Sequence, residues 1–200
     1  MPALTPANDL IRSRNVTASE CYALLGKHPY HTPATIYDRL VSPWDYGHPE
    51  HTEAMSLGSY MEPYIAKYAA QTMGLKVRAN PRTIEHKRVN LAATPDYYVL
   101  NEDMLLEIKL SGIMYGWNED ELHPWIEWQA RAQMACANRS IVMVCALVGV
   151  RLYTVPVIRN MEKEERLLDA VETFMDTHVL PQVRPIEDDA PSSIIAVVGK

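Results

Sequence analysis

The stretch that most constrains this chain is a hairpin with a charged return strand. Thr94-Pro95-Asp96 stands ten residues before Glu107-Ile108-Lys109. Between them Tyr97–Leu100 reads as one strand, Asn101-Glu102-Asp103 as a polar turn, and Met104–Leu110 as the returning strand. Side chains alternate across a strand, so Leu106, Ile108 and Leu110 can enter a core while Glu107 and Lys109 share the other face, about 6.6 Å apart. Asp96 arrives from the neighbouring strand. Two carboxylates and a backbone carbonyl are the hard oxygen ligands that Mg²⁺ or Mn²⁺ prefers. A lysine beside them can orient or deprotonate water and offset charge on a phosphorane-like transition state. Alone, the E-x-K pattern reads more readily as an edge hairpin with a solvated face; with Pro95-Asp96 at hairpin spacing the two readings come nearly level, so the rest of the chain decides.

Two hundred residues suit one domain with a sizeable core, and 48% apolar with 22% charged content is ordinary for a water-soluble protein. The division expected is a single domain over residues 1–180 followed by a tail over 181–200. Neither a basic-then-apolar leader nor an apolar run of membrane-spanning length is present in the sequence, so no membrane role and a cytoplasmic location are expected. Cys21, Cys136 and Cys145 are odd in number and widely spaced, as reduced thiols would be. The net charge of −6 does not advertise a nucleic-acid partner. Its distribution softens that reading: residues 161–200 hold nine acids against four bases, the remainder sixteen against fifteen. A cation bound by the hairpin acids would leave the larger part compatible with DNA.

In chain order, Thr17-Ala18-Ser19-Glu20 is a capping-box pattern that predicts a helix through Leu25, ending at Gly26. Arg12, Arg14 and Ser19 gather at its entrance, where backbone N–H groups can receive a phosphate; solvated arginines beside a cap fit equally well. Thr32, Pro33 and the residues to Leu40 predict a second helix. His28-Pro-Tyr-His31 and His48-Pro-Glu-His51 invite a zinc reading, but neither paired cysteines nor helical histidine spacing supports one. Ala54–Met73 predicts the long helix, with Met61, Ile65, Tyr68 and Ala69 as its buried stripe and Gly74 as its end. Glu62 stands just off that stripe, before Pro63. Leu75–Ala79 and Arg82–Glu85 read as strands. Ser111–His123 is a long loop containing Trp117, of the kind that gates substrates. Pro124 opens a helix that places Gln129 and Gln133 one turn apart on one face. Ile141–Val148 reads as a strand buried on both faces, Arg151–Ile158 as its hairpin partner, and Met161–His178 as an amphipathic helix. The tail, with Glu187-Asp188-Asp189 and Ile194–Val198, would form an edge strand or dock on a neighbouring subunit. The expected fold class is α/β, a central mixed β-sheet flanked by helices.

Five pieces in this order resemble the phage lambda exonuclease / YqaJ-type viral recombinase family of the PD-(D/E)xK nuclease superfamily. They are Arg12 with Thr17-Ala18-Ser19-Glu20, Gly58-Ser59-Tyr60-Met61-Glu62-Pro63, Thr94-Pro95-Asp96, Glu107-Ile108-Lys109, and Gln129 with Gln133-Met134. The resemblance covers about residues 10–160 and implies a restriction-endonuclease-like core. By position it implies that Asp96, Glu107 and the Ile108 carbonyl bind Mg²⁺, for which Mn²⁺ can substitute. Glu62 would complete a second metal position or its water shell, Lys109 would activate water, and Gln129 would position it. Arg12 and Ser19 would receive a terminal 5′-phosphate. The implied reaction is metal-dependent 5′–3′ hydrolysis of one strand of linear duplex DNA. It would be run by a trimeric ring that hands the exposed 3′ strand to an annealing protein, in a phage-infected or prophage-bearing bacterial cell. Tyr97 stands where family members commonly have glycine, and no cysteine set of the iron–sulfur nucleases is present. An endonuclease on the same core, a catalytically inactive module binding DNA ends or a recombinase, and a purely structural protein are the alternatives.

Overall fold

The structure, a computed structural model, describes residues 5–42, 52–112 and 122–186. Each helix has a local reason to start where it does. Thr5 caps α1 (Pro6–Ser13), with Pro6 pre-set for the first turn. Thr32 and Thr35 cap α2 (Pro33–Val41) reciprocally, and Thr52 caps α3 (Glu53–Met73). Pro124 opens α4 (Pro124–Ala137), and Asn160 accepts the Lys163 N–H to start α5 (Met161–Phe174). Gly74 ends α3 at φ 67°, a left-handed conformation that glycine reaches without strain.

The strands are β1 (Val16–Thr17), β2 (Val77–Ala79), β3 (Ile84–Glu85), β4 (Leu91–Ala93), β5 (Tyr97–Val99), β6 (Met104–Ser111), β7 (Ile141–Val148) and β8 (Arg151–Ile158). They form a five-stranded sheet in the order β2-β5-β6-β7-β8 and a smaller one in the order β1-β4-β3. β6 and β7 run parallel, while every other pair of the large sheet is antiparallel. The mixed α/β class is as expected; the second sheet is not. Its strands are two or three residues long, too short for an alternating pattern to register, and the Arg82–Glu85 strand shrinks to Ile84–Glu85 and joins that sheet.

β6 is the middle strand of the large sheet, and helices cover both of its faces. On one face Ile65, Ala66 and Ala69 of α3 pack with Leu106 and Ile108. On the other, Ile126, Ala130 and Met134 of α4 pack with Leu105, Val142 and Val144. The solvated Glu–Lys face that an edge hairpin would show is therefore absent here: Glu107 is 2% exposed. The third cluster joins α5, through Leu167, Leu168 and Val171, to the small sheet and Trp128.

Three further expectations need correction. Tyr68 is 57% exposed, and α3 meets the sheet through Ile65, Ala66, Ala69 and Ala70, whose small side chains permit closer approach than a tyrosine would. The 17–25 segment is strand β1 followed by a single 3₁₀ turn, Cys21–Leu24, because the Val16 N–H pairs with the Asn90 carbonyl and the Ala18 N–H with that of Ala92. The last helix leaves α geometry after Phe174 for a π-turn over Met175–Val179. His28 belongs to a turn: its Nδ1 accepts the Tyr30 and His31 N–H groups, both at 3.1 Å. Burial and the neighbouring His31 push its pKa down to about 4. His48, His51, Trp117 and residues 187–200 lie outside the described residues, while residues 181–186 include Arg184, paired with Asp38 of α2 through two 2.8 Å bonds. All three cysteines are free thiols. Among the described residues, no helix is long and apolar enough to cross a membrane.

Glu20 is buried and is held by Arg39, which also donates to the carbonyls of Arg12 and Asn15. Removing one partner of such a pair strands a buried charge. Arg39→Ala is expected to lower stability by about 3 kcal/mol, read as a shift of the denaturant midpoint. An unmoved midpoint would mean that water replaces the guanidinium at no cost.

Candidate active site

Asp96 belongs to neither sheet. Thr94-Pro95-Asp96 is the three-residue crossing from β4 in the small sheet to β5 in the large one. Buried Asn80 fastens this crossing. Its N–H donates to the Asp96 carbonyl at 2.9 Å and its side-chain amide to the Pro95 carbonyl at 3.0 Å. Thr83 and Thr94 share a hydroxyl bond of 2.9 Å alongside.

From this position Asp96 reaches β6, where its Oδ2 accepts the Ile108 N–H at 2.8 Å. The N–H and C=O of one strand residue point to the same edge, so the Ile108 carbonyl faces the Asp96 side too. Glu107 and Lys109 flank Ile108 on the face that α4 covers. Lys109 Nζ lies 2.7 Å from Glu107 Oε1 and 3.0 Å from Gln129 Oε1. Gln129 Nε2 donates to Glu107 Oε1 and Gln133 Nε2 to Glu107 Oε2, each at 2.6 Å.

The electrostatics follow from packing acids out of water. Burial, then the charges of Glu107 and Glu62, hold the Asp96 carboxyl well above the ordinary carboxylate range, against the opposing pull of Lys109. Burial alone would lower the Lys109 ammonium, but Glu107, Asp96 and Glu62 outweigh it and keep the lysine charged. The Tyr97 phenol is pushed up to about 12 by burial, Glu62 and Asp96. Glu62 of α3 and Asp96 line a cavity of about 400 Å³, joined by Ser59, Tyr97 and Asn8 of α1.

The sequence-derived residues therefore fall into two groups. Asp96, Glu107, Ile108, Lys109 and Gln129 are joined through hydrogen bonds on and beside β6, and Glu62 lines a cavity with Asp96. Arg12 and Ser19 sit in a corner reached along α1: Arg12 is one turn beyond Asn8, about 6 Å along the axis. Arg39 bridges that corner through the Arg12 carbonyl and Glu20, next to exposed Ser19. Tyr97 keeps the strand regular despite its size, pairing with Leu106 and packing against Ile65 and Ala69.

Residues 9–140 match the family described as the YqaJ-like viral recombinase domain. The chain belongs to that family. Among solved structures it is similar to an alkaline exonuclease, LHK-Exo, from Laribacter hongkongensis, at 20% identity over 90% of this chain and 94% of that one, with a TM-score of 0.74. The same enzyme in complex with dAMP gives 19% identity, equal coverage and a TM-score of 0.73. A phage-related exonuclease from Haemophilus somnus 129PT gives 13% identity over 84% and 96% of the two chains, with a TM-score of 0.59. None of the curated proteins matches. These likenesses give the chain the fold of the alkaline exonuclease LHK-Exo.

Sequence reasoning missed Asn80 and left Gln133 without an assigned role. Asn80 carried no signal, being a lone polar residue between short strands. Gln133 did carry one, its spacing from Gln129, but that spacing could not say which group the two amides would hold. They hold Glu107. The Oε1 of Gln133 is a buried acceptor with no donor among the described residues, a loss of about 1–3 kcal/mol.

Proposed function

We propose that this protein is a Mg²⁺-dependent 5′–3′ exonuclease that degrades one strand of linear double-stranded DNA and leaves a 3′ single strand for strand annealing. The observation that carries the reading is the Asp96–Ile108 hydrogen bond beside Glu107 and Lys109, which draws two carboxylates, a carbonyl and an ammonium to one end of β6.

The donor chemistry fits a hard cation. Among the described residues no three His, Cys, Asp or Glu side chains are grouped to hold an ion by themselves. Mg²⁺ does not require such a cage, since it uses one or two carboxylates and fills the rest of its shell with water and phosphate oxygens. Asp96, Glu107 and the Ile108 carbonyl would hold it, with Glu62 serving a second position or its waters. Mn²⁺ suits the same oxygens. The raised Asp96 carboxyl and the crowding by Glu62 and Glu107 are what a divalent cation would relieve. The chemistry such a cation would supply is polarisation of the phosphate and offset of charge on the leaving oxygen.

The remaining work belongs to the chain's own groups. Lys109, kept charged by its acidic neighbours, orients the attacking water and offsets developing charge. Gln129 fixes Lys109 and Glu107 relative to each other through one amide. Arg12 and Ser19 receive the 5′-phosphate of the strand end, and α1 links their corner to the cavity. The dAMP held by LHK-Exo is the class of product that stepwise release from an end would give. A trimeric ring, a partner annealing protein and a cytoplasmic setting in the bacterial host belong to the same reading, as does one nuclease domain over residues 1–180.

The test is digestion of end-labelled linear duplex with Mg²⁺, with and without a 5′-phosphate, beside a closed circle. The expected result is 5′-end release that depends on the phosphate, an intact circle, and loss of the phosphate preference in Arg12→Ala. Cleavage of the circle would assign an endonuclease. Complete absence of nucleotide release would assign a DNA-end or recombinase-binding module.

A further inference from the structure

An ionised carboxylate offers about four acceptor positions, two on each oxygen. At Glu107, Oε1 already takes two donors, Lys109 Nζ and Gln129 Nε2, and Oε2 takes one, Gln133 Nε2. Among the described residues one position remains, on Oε2. Lys109 and Gln129 are also bonded to each other, so together they anchor Oε1; among the described residues, Gln133 sets how the carboxylate is turned about that anchor.

The orientation of the Gln133 amide is itself fixed. Turned over, it would set its oxygen against a carboxylate oxygen at 2.6 Å, acceptor against acceptor. In the orientation that avoids this, Oε1 is left buried with no donor among the described residues. An apolar residue of the same shape would avoid that penalty at a position only 1% exposed. What the amide contributes is therefore its grip on Glu107 rather than packing.

We infer that Gln133 is a positioning residue that aims the last acceptor site of Glu107 at the divalent cation. This rests on the cation reading given above. An outer partner that orients a ligand typically changes metal affinity or activity 10- to 100-fold when removed.

The test uses the full-length protein and Mn²⁺ alone, with free Mn²⁺ followed by electron paramagnetic resonance. Gln133→Met keeps length and shape without the amide, and Gln133→Asn keeps an amide that falls one methylene short. Asp96→Asn is the control for the cation site. Expected are a wild type that takes up Mn²⁺, uptake lost in Asp96→Asn, and Mn²⁺ affinity about 30-fold weaker in both Gln133 variants, with melting temperatures near wild type. In turnover of linear duplex the same variants should lower kcat and leave KM for DNA unmoved. Wild-type Mn²⁺ affinity in a folded Gln133→Met would overturn the assignment and leave the cation reading standing. Failure of both variants to fold would make Gln133 a packing residue and overturn it likewise. No Mn²⁺ uptake by the wild type would overturn the cation reading, and the role of Gln133 with it.

Discussion

Lys109→Ala is expected to reduce turnover about 10³-fold while Mn²⁺ and duplex DNA still bind. The ammonium sits 2.7 Å from Glu107 and 3.0 Å from Gln129, so its loss removes a positive charge bonded directly to Glu107. Glu107 keeps its two amide donors and stays in place, so the carboxylates remain able to hold a cation. Removing the lysine also leaves three acids less compensated, which should tighten cation binding rather than weaken it. Single-turnover cleavage alongside Mn²⁺ titration separates the two effects. Near-normal cleavage by the variant would take lysine out of the mechanism, and loss of Mn²⁺ binding would make it a structural counter-ion only.

Asp96→Asn should cost a comparable factor in turnover, about 10³-fold or about 4 kcal/mol in the barrier, yet improve the fold at neutral pH. Asparagine can still accept the Ile108 N–H but brings no charge into the buried cluster. The pH dependence fixes the sign. Burial and the neighbouring acids raise the Asp96 carboxyl in the folded protein, so between its ordinary value near 4 and that raised value the folded state binds the additional proton. Its contribution to stability is complete below the unfolded pKa and disappears as pH rises through the folded one. The wild type should lose melting temperature over that window relative to Asp96→Asn, and the two curves should converge in acid. Parallel curves would mean that the carboxyl titrates normally, contrary to its surroundings.

Much of the candidate site's geometry was legible because it is written in strand periodicity. The alternation in Met104–Leu110 placed Glu107 and Lys109 on one face, and the hairpin brought Asp96 to them across a turn closed by Asn101 at φ 65°. The caps at Thr32 and Gly74 were equally plain, being local backbone chemistry. What escaped depends on contacts distant in sequence. Nothing in the hairpin announces that α3 and α4 cover both sides of β6, which turns a seemingly solvated Glu–Lys face into a buried one. Thr17–Glu20 has the letters of a capping box, and Glu20 Oε1 does accept the Thr17 N–H at 2.8 Å. Pairing with β4 nevertheless holds Thr17 in a strand, so tertiary hydrogen bonds outweigh local preference. Glu20 was read as a cap; its larger commitment is to Arg39, nineteen residues away, which no local pattern reveals.

The position of Asp96 on the bridge between the two sheets has a further consequence. Glu107 belongs to the large sheet, whereas the approach to Asp96 begins at Ala93 in the small one and is held by Asn80. The distance across which the two acids cooperate is thus a record of how one sheet sits against the other. Residues of the small sheet outside the acid cluster would thereby acquire a stake in the proposed chemistry, and drift among them would surface as slower cleavage long before it surfaced as unfolded protein.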